Sequence, residues 1–226
     1  MKHYFFIVLV SCMNFMPLAG HAQTTDADAS TFKNNQNLQR SRNAVVEITS
    51  KAIEDAPSAR TLGQSRQGSG VVIDPDGLVL TIGYLILETE QIEIRTHQQK
   101  TYPAKVVAYD QATGFGLIKS LIPMQGIEPV KLGKTFGQKN EQMLLVVSAG
   151  DTSFSGPTKL KDIREFTGYW EYHLDSAIYT SPPVINHSGA GLFNLQGELI
   201  GPGIQGNKYN LQELKFYLFD IFDIDR

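Results

Sequence analysis

Asp74-Pro75-Asp76-Gly77 stands between two short apolar runs, Val71-Val72-Ile73 and Leu78-Val79-Leu80-Thr81. Proline presets one turn dihedral and glycine takes the left-handed one. A four-residue turn between β-branched runs predicts a hairpin. The same cadence recurs along the chain. Ala44 to Ile48 has strand character, Gln91 to Arg95 alternates apolar and polar, and Tyr102 to Tyr109 follows a turn at His97 to Thr101. Gly114 to Ile118, Gln142 to Ser148, Thr158 to Phe166, Tyr169 to Leu174, Gly191 to Leu195 and Leu199 to Ile204 extend the set. Lys51 to Arg66 reads as a long polar loop, and Leu214 to Ile224 as a closing strand that runs into a short helical turn. Many short strands with few helical periods predict an all-β sandwich or barrel. No repeat of propeller or solenoid length is visible.

The ends carry different signals. Lys2 precedes an apolar run from Tyr4 to Val10, a second patch follows at Met13 to Ala19, and Gly20-His21-Ala22 offers small residues for cleavage. Residues 1–22 therefore read as a secretory signal. A competing reading takes Leu9-Val10-Ser11-Cys12 as a lipoprotein box, with a lipid on Cys12. Cys12 is the only cysteine, so cleavage after Ala22 leaves a mature chain without disulfides, thiolate chemistry or cysteine metal sites. Removing residues 1–22 takes away Lys2 and no acid, leaving 19 basic residues against 23 acidic ones. With no basic cluster, nucleic acid and anionic membrane surfaces are poor partners. Residues 23–42 are polar and read as a flexible linker, with the folded domain spanning 43–226.

Chemistry is concentrated at Asn186-His187-Ser188-Gly189-Ala190-Gly191-Leu192. A serine among small residues lets the backbone come close to a bound chain and aim its amides at it. Such a hydroxyl is a nucleophile only beside a base and an oxyanion site. The plain alternative is an ordinary glycine-rich turn. No two histidines have a metal-binding spacing, and no cofactor is implied.

Three segments together resemble the protease domain of the HtrA (Deg) family of exported, trypsin-like serine proteases. They are Gly68-Ser69-Gly70 through Thr81, Tyr102 through Ile118, and Asn186 through Gly201. The resemblance runs from about Asn43 to Phe219 and implies an all-β fold of two six-stranded antiparallel β-barrels with a cleft between them. It also implies a peptide or unfolded protein as cleft ligand, a periplasmic or secreted location, and an assembly, since family members are often trimers. The family usually adds a C-terminal PDZ domain; the sequence stops at Arg226 with no such domain expected.

Carried over residue by residue, the catalytic set is incomplete. Ser188 falls on the nucleophile, Tyr84 stands in place of the histidine, and Gly114 in place of the aspartate. The glycine of the oxyanion hole becomes Asn186, which would share the hole with Ser188, and Gly191 replaces a proline. A phenol with a reference pKa of about 10 is almost wholly protonated near neutral pH and is a poor base. Gly114 has nothing with which to orient one. Loss of serine or histidine alone costs about 10⁶ in turnover in a serine protease. The expectation is a pseudoprotease that binds peptides or a protein partner. The alternative is an active serine endopeptidase with a rearranged base, for which His173 (near Asp175) and His187 are the histidines to test; His97 reads as a turn histidine, and Asp110, four residues before Gly114, falls on the turn in the family's pattern.

Overall fold

A computed structural model describes residues 35–134, 140–167, 173–183, 187–206 and 214–217. The expected signal sequence, Cys12 and Asn186 lie outside them. Twelve strands form two closed barrels. The first contains β1 (Val45–Ala52), β2 (Ser65–Val72), β3 (Leu78–Ile82), β4 (Thr89–Arg95), β5 (Thr101–Asp110) and β6 (Phe115–Ser120). Its order is β1-β2-β3-β6-β5-β4, closed where β4 pairs with β1. The second contains β7 (Met143–Val147), β8 (Ser155–Thr167), β9 (His173–Ser181), β10 (Gly191–Phe193), β11 (Leu199–Gly206) and β12 (Leu214–Tyr217). Its order is β10-β11-β12-β9-β8-β7, closed where β10 pairs with β7. All these ladders are antiparallel, so the expected double barrel is the observed fold.

The hairpin at Asp74 forms as its residues dictate. Gly77 has φ +82° and its amide donates to the Asp74 carbonyl at 3.1 Å. The Asp74 carboxylate accepts from the Asp76 amide at 2.7 Å, and Val71 and Val72 pair with Leu80 and Val79.

The period of two also explains how the barrels meet. Leu144 and Val146 of β7 pack inside the second barrel with Leu192 and Ile200. Leu145 and Val147 point the other way, into a layer shared with the first barrel. β10 divides likewise, with Leu192 inside and Phe193 in the shared layer. A strand buried on both faces reads as an unbroken apolar run, as Met143–Val147 does. Gly191 belongs to this contact: a Cβ there would lie 2.6 Å from the Phe193 ring and 3.0 Å from Val71.

Two expectations are corrected. The reading of 23–42 as a flexible linker fails over its last residues, where α1 (Gln36–Ala44) is a capped helix. Asn35 accepts from the amides of Asn37 and Leu38 at 3.0 and 3.3 Å, and Leu38, Ser41 and Ala44 are buried. Its buried face holds one large apolar side chain, too few to give a periodic signal. The polar loop at Lys51–Arg66 is shorter than expected, because β1 runs to Ala52, a short helix α2 occupies Ala59–Leu62 and β2 starts at Ser65. Of the strand expected over Tyr169–Leu174, residues 169–172 lie outside the described residues, and His173 and Leu174 open β9. Of Leu214–Ile224, only Leu214–Tyr217 is described, and it is a strand.

Candidate functional site

Ser188 sits where the two barrels touch. The Gly189 amide donates to the Gly203 carbonyl at 2.8 Å, the Gly203 amide to the Ala190 carbonyl at 2.6 Å, and the Ala190 amide to the His187 carbonyl at 2.9 Å. These bonds fasten the serine turn to β11. From the first barrel, the Ser69 amide donates to the Ser188 carbonyl at 2.7 Å. The Ser69 carbonyl takes the Thr81 hydroxyl at 2.7 Å, and the Ser69 hydroxyl accepts from the Ala149 amide at 2.9 Å. Gly189 has φ +73°, and a Cβ there would overlap the Ser69 carbonyl oxygen. Gly68 and Gly189 let two backbones approach too closely for side chains.

Tyr84 lies on a 3-10 turn, Gly83–Leu85, directly after β3. Its phenol is hydrogen-bonded to the Ser188 hydroxyl. The two expected site residues, 104 positions apart in the chain, are therefore brought together. The oxygen facing the Ser188 hydroxyl is therefore a phenol, protonated near neutral pH, where a nucleophile needs a group that takes its proton away.

Gly114 lies on the turn into β6 with φ +74°. Its carbonyl accepts from the Gly83 amide at 2.7 Å, so Gly114, expected in place of the acid, supports the turn that carries Tyr84 through its backbone. The Tyr109 ring lies against Gly83, where a Cβ would collide with it. Asp110 does not replace the missing acid. Its carboxylate accepts from the Ala112 amide at 3.0 Å and the Thr113 hydroxyl at 2.6 Å, closing the turn that leads to Gly114.

The histidines are placed as follows. His97 Nδ1 bonds the Asn43 carbonyl at 3.0 Å. His173 bonds Thr167 at 3.0 Å across the β8–β9 hairpin, with Glu165 3.7 Å away. His187 is half-buried beside Ser188. Among the described residues no cluster of three or more histidine, cysteine, aspartate or glutamate side chains forms a metal site.

The residue that sequence reasoning missed is Arg66. It lies in a polar stretch and yet is only 5 % exposed. Its guanidinium donates to the carbonyls of Tyr84 at 2.9 Å and Leu87 at 2.6 Å, to the Ser58 hydroxyl at 2.7 Å and to the Gly63 carbonyl at 3.2 Å. Burial draws it below its ordinary pKa, opposed by the nearby Glu88 charge. Hydrogen bonds from the Ser58 hydroxyl and amide hold the Glu88 carboxyl below the usual carboxylate range, and the Arg66 charge adds to this. Hydropathy carries no signal for a buried arginine.

Comparison with known proteins gives a consistent result. The family described as a trypsin-like peptidase domain matches residues 68–201, more than half of the chain. A probable periplasmic serine endoprotease, DegP-like, from Marinomonas sp. (strain MWYL1) is 30% identical over 148 residues, which are 61% of this chain and 29% of that protein. The DegP-like protein of Chlamydia pneumoniae is 27% identical over 158 residues, 64% of this chain and 30% of its own length. The chain thus matches less than a third of these relatives. The active form of the Rv3671c protease from M. tuberculosis superposes with a TM-score of 0.71 at 16% identity, over 94% of this chain and 90% of that one. The HtrA-type protease AlgW with tripeptide gives 0.69 at 17% identity, over 81% and 58%.

Proposed function

The chain belongs to the trypsin-like peptidase domain family, among its HtrA/Deg members, and from that premise we propose that it is an exported pseudoprotease whose cleft binds peptide or protein without cutting it. One observation carries this reading: the phenol of Tyr84, the residue expected in the base position, is hydrogen-bonded to the Ser188 hydroxyl. A phenol that stays protonated near neutral pH does not take the serine's proton, and Gly114 brings no carboxylate to change that. The serine turn, its glycine and the barrel seam keep their packing around this inert pair. The names of the DegP-like relatives support a periplasmic location. Structural neighbours of the HtrA type were solved with a tripeptide and a decapeptide, which supports an extended peptide as the ligand. Such a ligand adds to an exposed strand edge by backbone pairing, a mode that needs no catalytic group.

The test is a fluorophosphonate probe on the purified mature chain, beside Ser188→Ala. The expected result is no labelling of the folded wild type. Labelling that disappears in Ser188→Ala would show an activated serine and overturn the reading. A fluorescent peptide library read by anisotropy then identifies the ligands.

A further inference from the structure

The turn that carries Tyr84 draws on donors from outside itself. Its Gly83 carbonyl accepts from the Ile86 amide at 2.9 Å. The Leu85 carbonyl takes the Ser50 hydroxyl, and the Ile86 carbonyl takes the Thr89 hydroxyl at 3.0 Å. The remaining two, those of Tyr84 and Leu87, both go to one nitrogen of Arg66. Residues 83 to 87 thus have every carbonyl occupied, and a single guanidinium grips the segment on both sides of Leu85.

The other end of Arg66 reaches the loop between β1 and β2. Its second terminal nitrogen donates to the Ser58 hydroxyl. That serine is also bonded to Glu88, whose carboxylate accepts from the Ser58 amide at 2.9 Å. Glu88 holds this position with φ +53°, in the left-handed region that a non-glycine residue adopts at a cost of about 1 kcal/mol or more. A buried cation needs all its donors met, and a planar fork meets several fixed acceptors at once where an ammonium does not.

We infer that Arg66 is the positioning residue of the Tyr84–Ser188 pair, and that through Ser58 it makes the β1–β2 loop a remote control of that pair. The inference rests on the reading of Tyr84–Ser188 as the closed centre of a non-hydrolytic cleft. A partner or ligand that draws the loop away from Arg66 frees the Tyr84 and Leu87 carbonyls together. The turn then relaxes, and the phenol leaves the serine. The loop presents residues 53–55 and 57 on its outer side, all exposed, so it is reachable without entering the cleft.

The experiment places 3-fluorotyrosine at position 84 of the full chain and follows its fluorine resonance. Ser188→Ala comes first and must displace the resonance; if it does not, the Tyr84–Ser188 contact is absent and the functional reading fails with it. Given that displacement, Ser58→Ala and Arg66→Lys are expected to move the resonance towards the Ser188→Ala position. The change corresponds to roughly 2- to 30-fold in the population of the closed pair, the usual range for residues that transmit coupling. Ser58→Thr keeps the hydroxyl and restores the wild-type position. Ser41→Ala, which loosens the distant α1 contact with the β10–β11 turn, lowers stability and leaves the resonance unmoved. A resonance that responds to Ser188→Ala but stays fixed in Ser58→Ala overturns the inference, even if Arg66→Lys fails to fold.

Discussion

Placing a histidine at position 84 and an aspartate at position 114, where the resemblance expects the base and the acid, tests the proposed inactivity. In Tyr84→His the nucleophile gains an imidazole but no carboxylate to orient it. Removing that carboxylate's function from a working triad costs about 10⁴ in turnover, or about 5.4 kcal/mol of barrier at 1.36 kcal/mol per tenfold. The single variant is therefore expected to stay close to background. Adding Gly114→Asp supplies the acid at a structural cost. Gly114 has φ +74°, where a residue with a Cβ loses about 1–2 kcal/mol, so the melting temperature should fall by about 2–8 °C. Gly114 keeps its carbonyl bond to the Gly83 amide in either case, since that bond is made by backbone. The assay is the rate of fluorophosphonate labelling, with hydrolysis of a quenched peptide substrate alongside. The double variant should exceed Tyr84→His by several orders of magnitude, up to about 10⁴. A double variant that melts cooperatively and still fails to label refutes the assignment of inactivity to positions 84 and 114.

Other outcomes follow from the same contacts. Gly189→Ala combines a left-handed backbone with overlap on the Ser69 carbonyl, and should lose about 3 kcal/mol or more in urea unfolding. Ser41→Ala removes the hydroxyl that reaches the Gly197 carbonyl at 2.7 Å and should cost about 1–2 kcal/mol, read as a lower melting temperature. Glu88 has a carboxyl held below its ordinary pKa, so its contribution is present above the ordinary glutamate range and lost as pH falls through the folded value. Glu88→Gln should therefore be less stable than wild type at neutral pH. The two should converge as pH falls well below about 4.3 in a series of thermal melts.

The parts of the fold that announce themselves are those where local chemistry and burial agree. Asp74 to Gly77 carries a turn signal with a mechanism, and the apolar runs at Met143–Val147 and Gly191–Phe193 are the strands shared by both barrels. The positions of Ser188, Tyr84 and Gly114 came from resemblance, and the meeting of Tyr84 with Ser188 could not be read from spacing, since 104 positions separate them. Helix α1 was hidden because Leu38 is the only large apolar residue on its buried face. Arg66 was hidden because its partners are backbone carbonyls, which every sequence contains and none displays. Asp110 looked like a spare acid until its oxygens were found closing their own turn.

The apolar layer between the barrels bears on how a ligand is received. Separating the barrels would hydrate Leu145, Val147, Phe193 and Leu199 together. At about 1.5–3 kcal/mol for each such side chain, that approaches the whole stability of an ordinary domain, about 5–15 kcal/mol. The halves must then melt as one cooperative body, and a hinge between them is not an accessible motion. The peptide proposed to bind at the seam would therefore meet walls of fixed spacing.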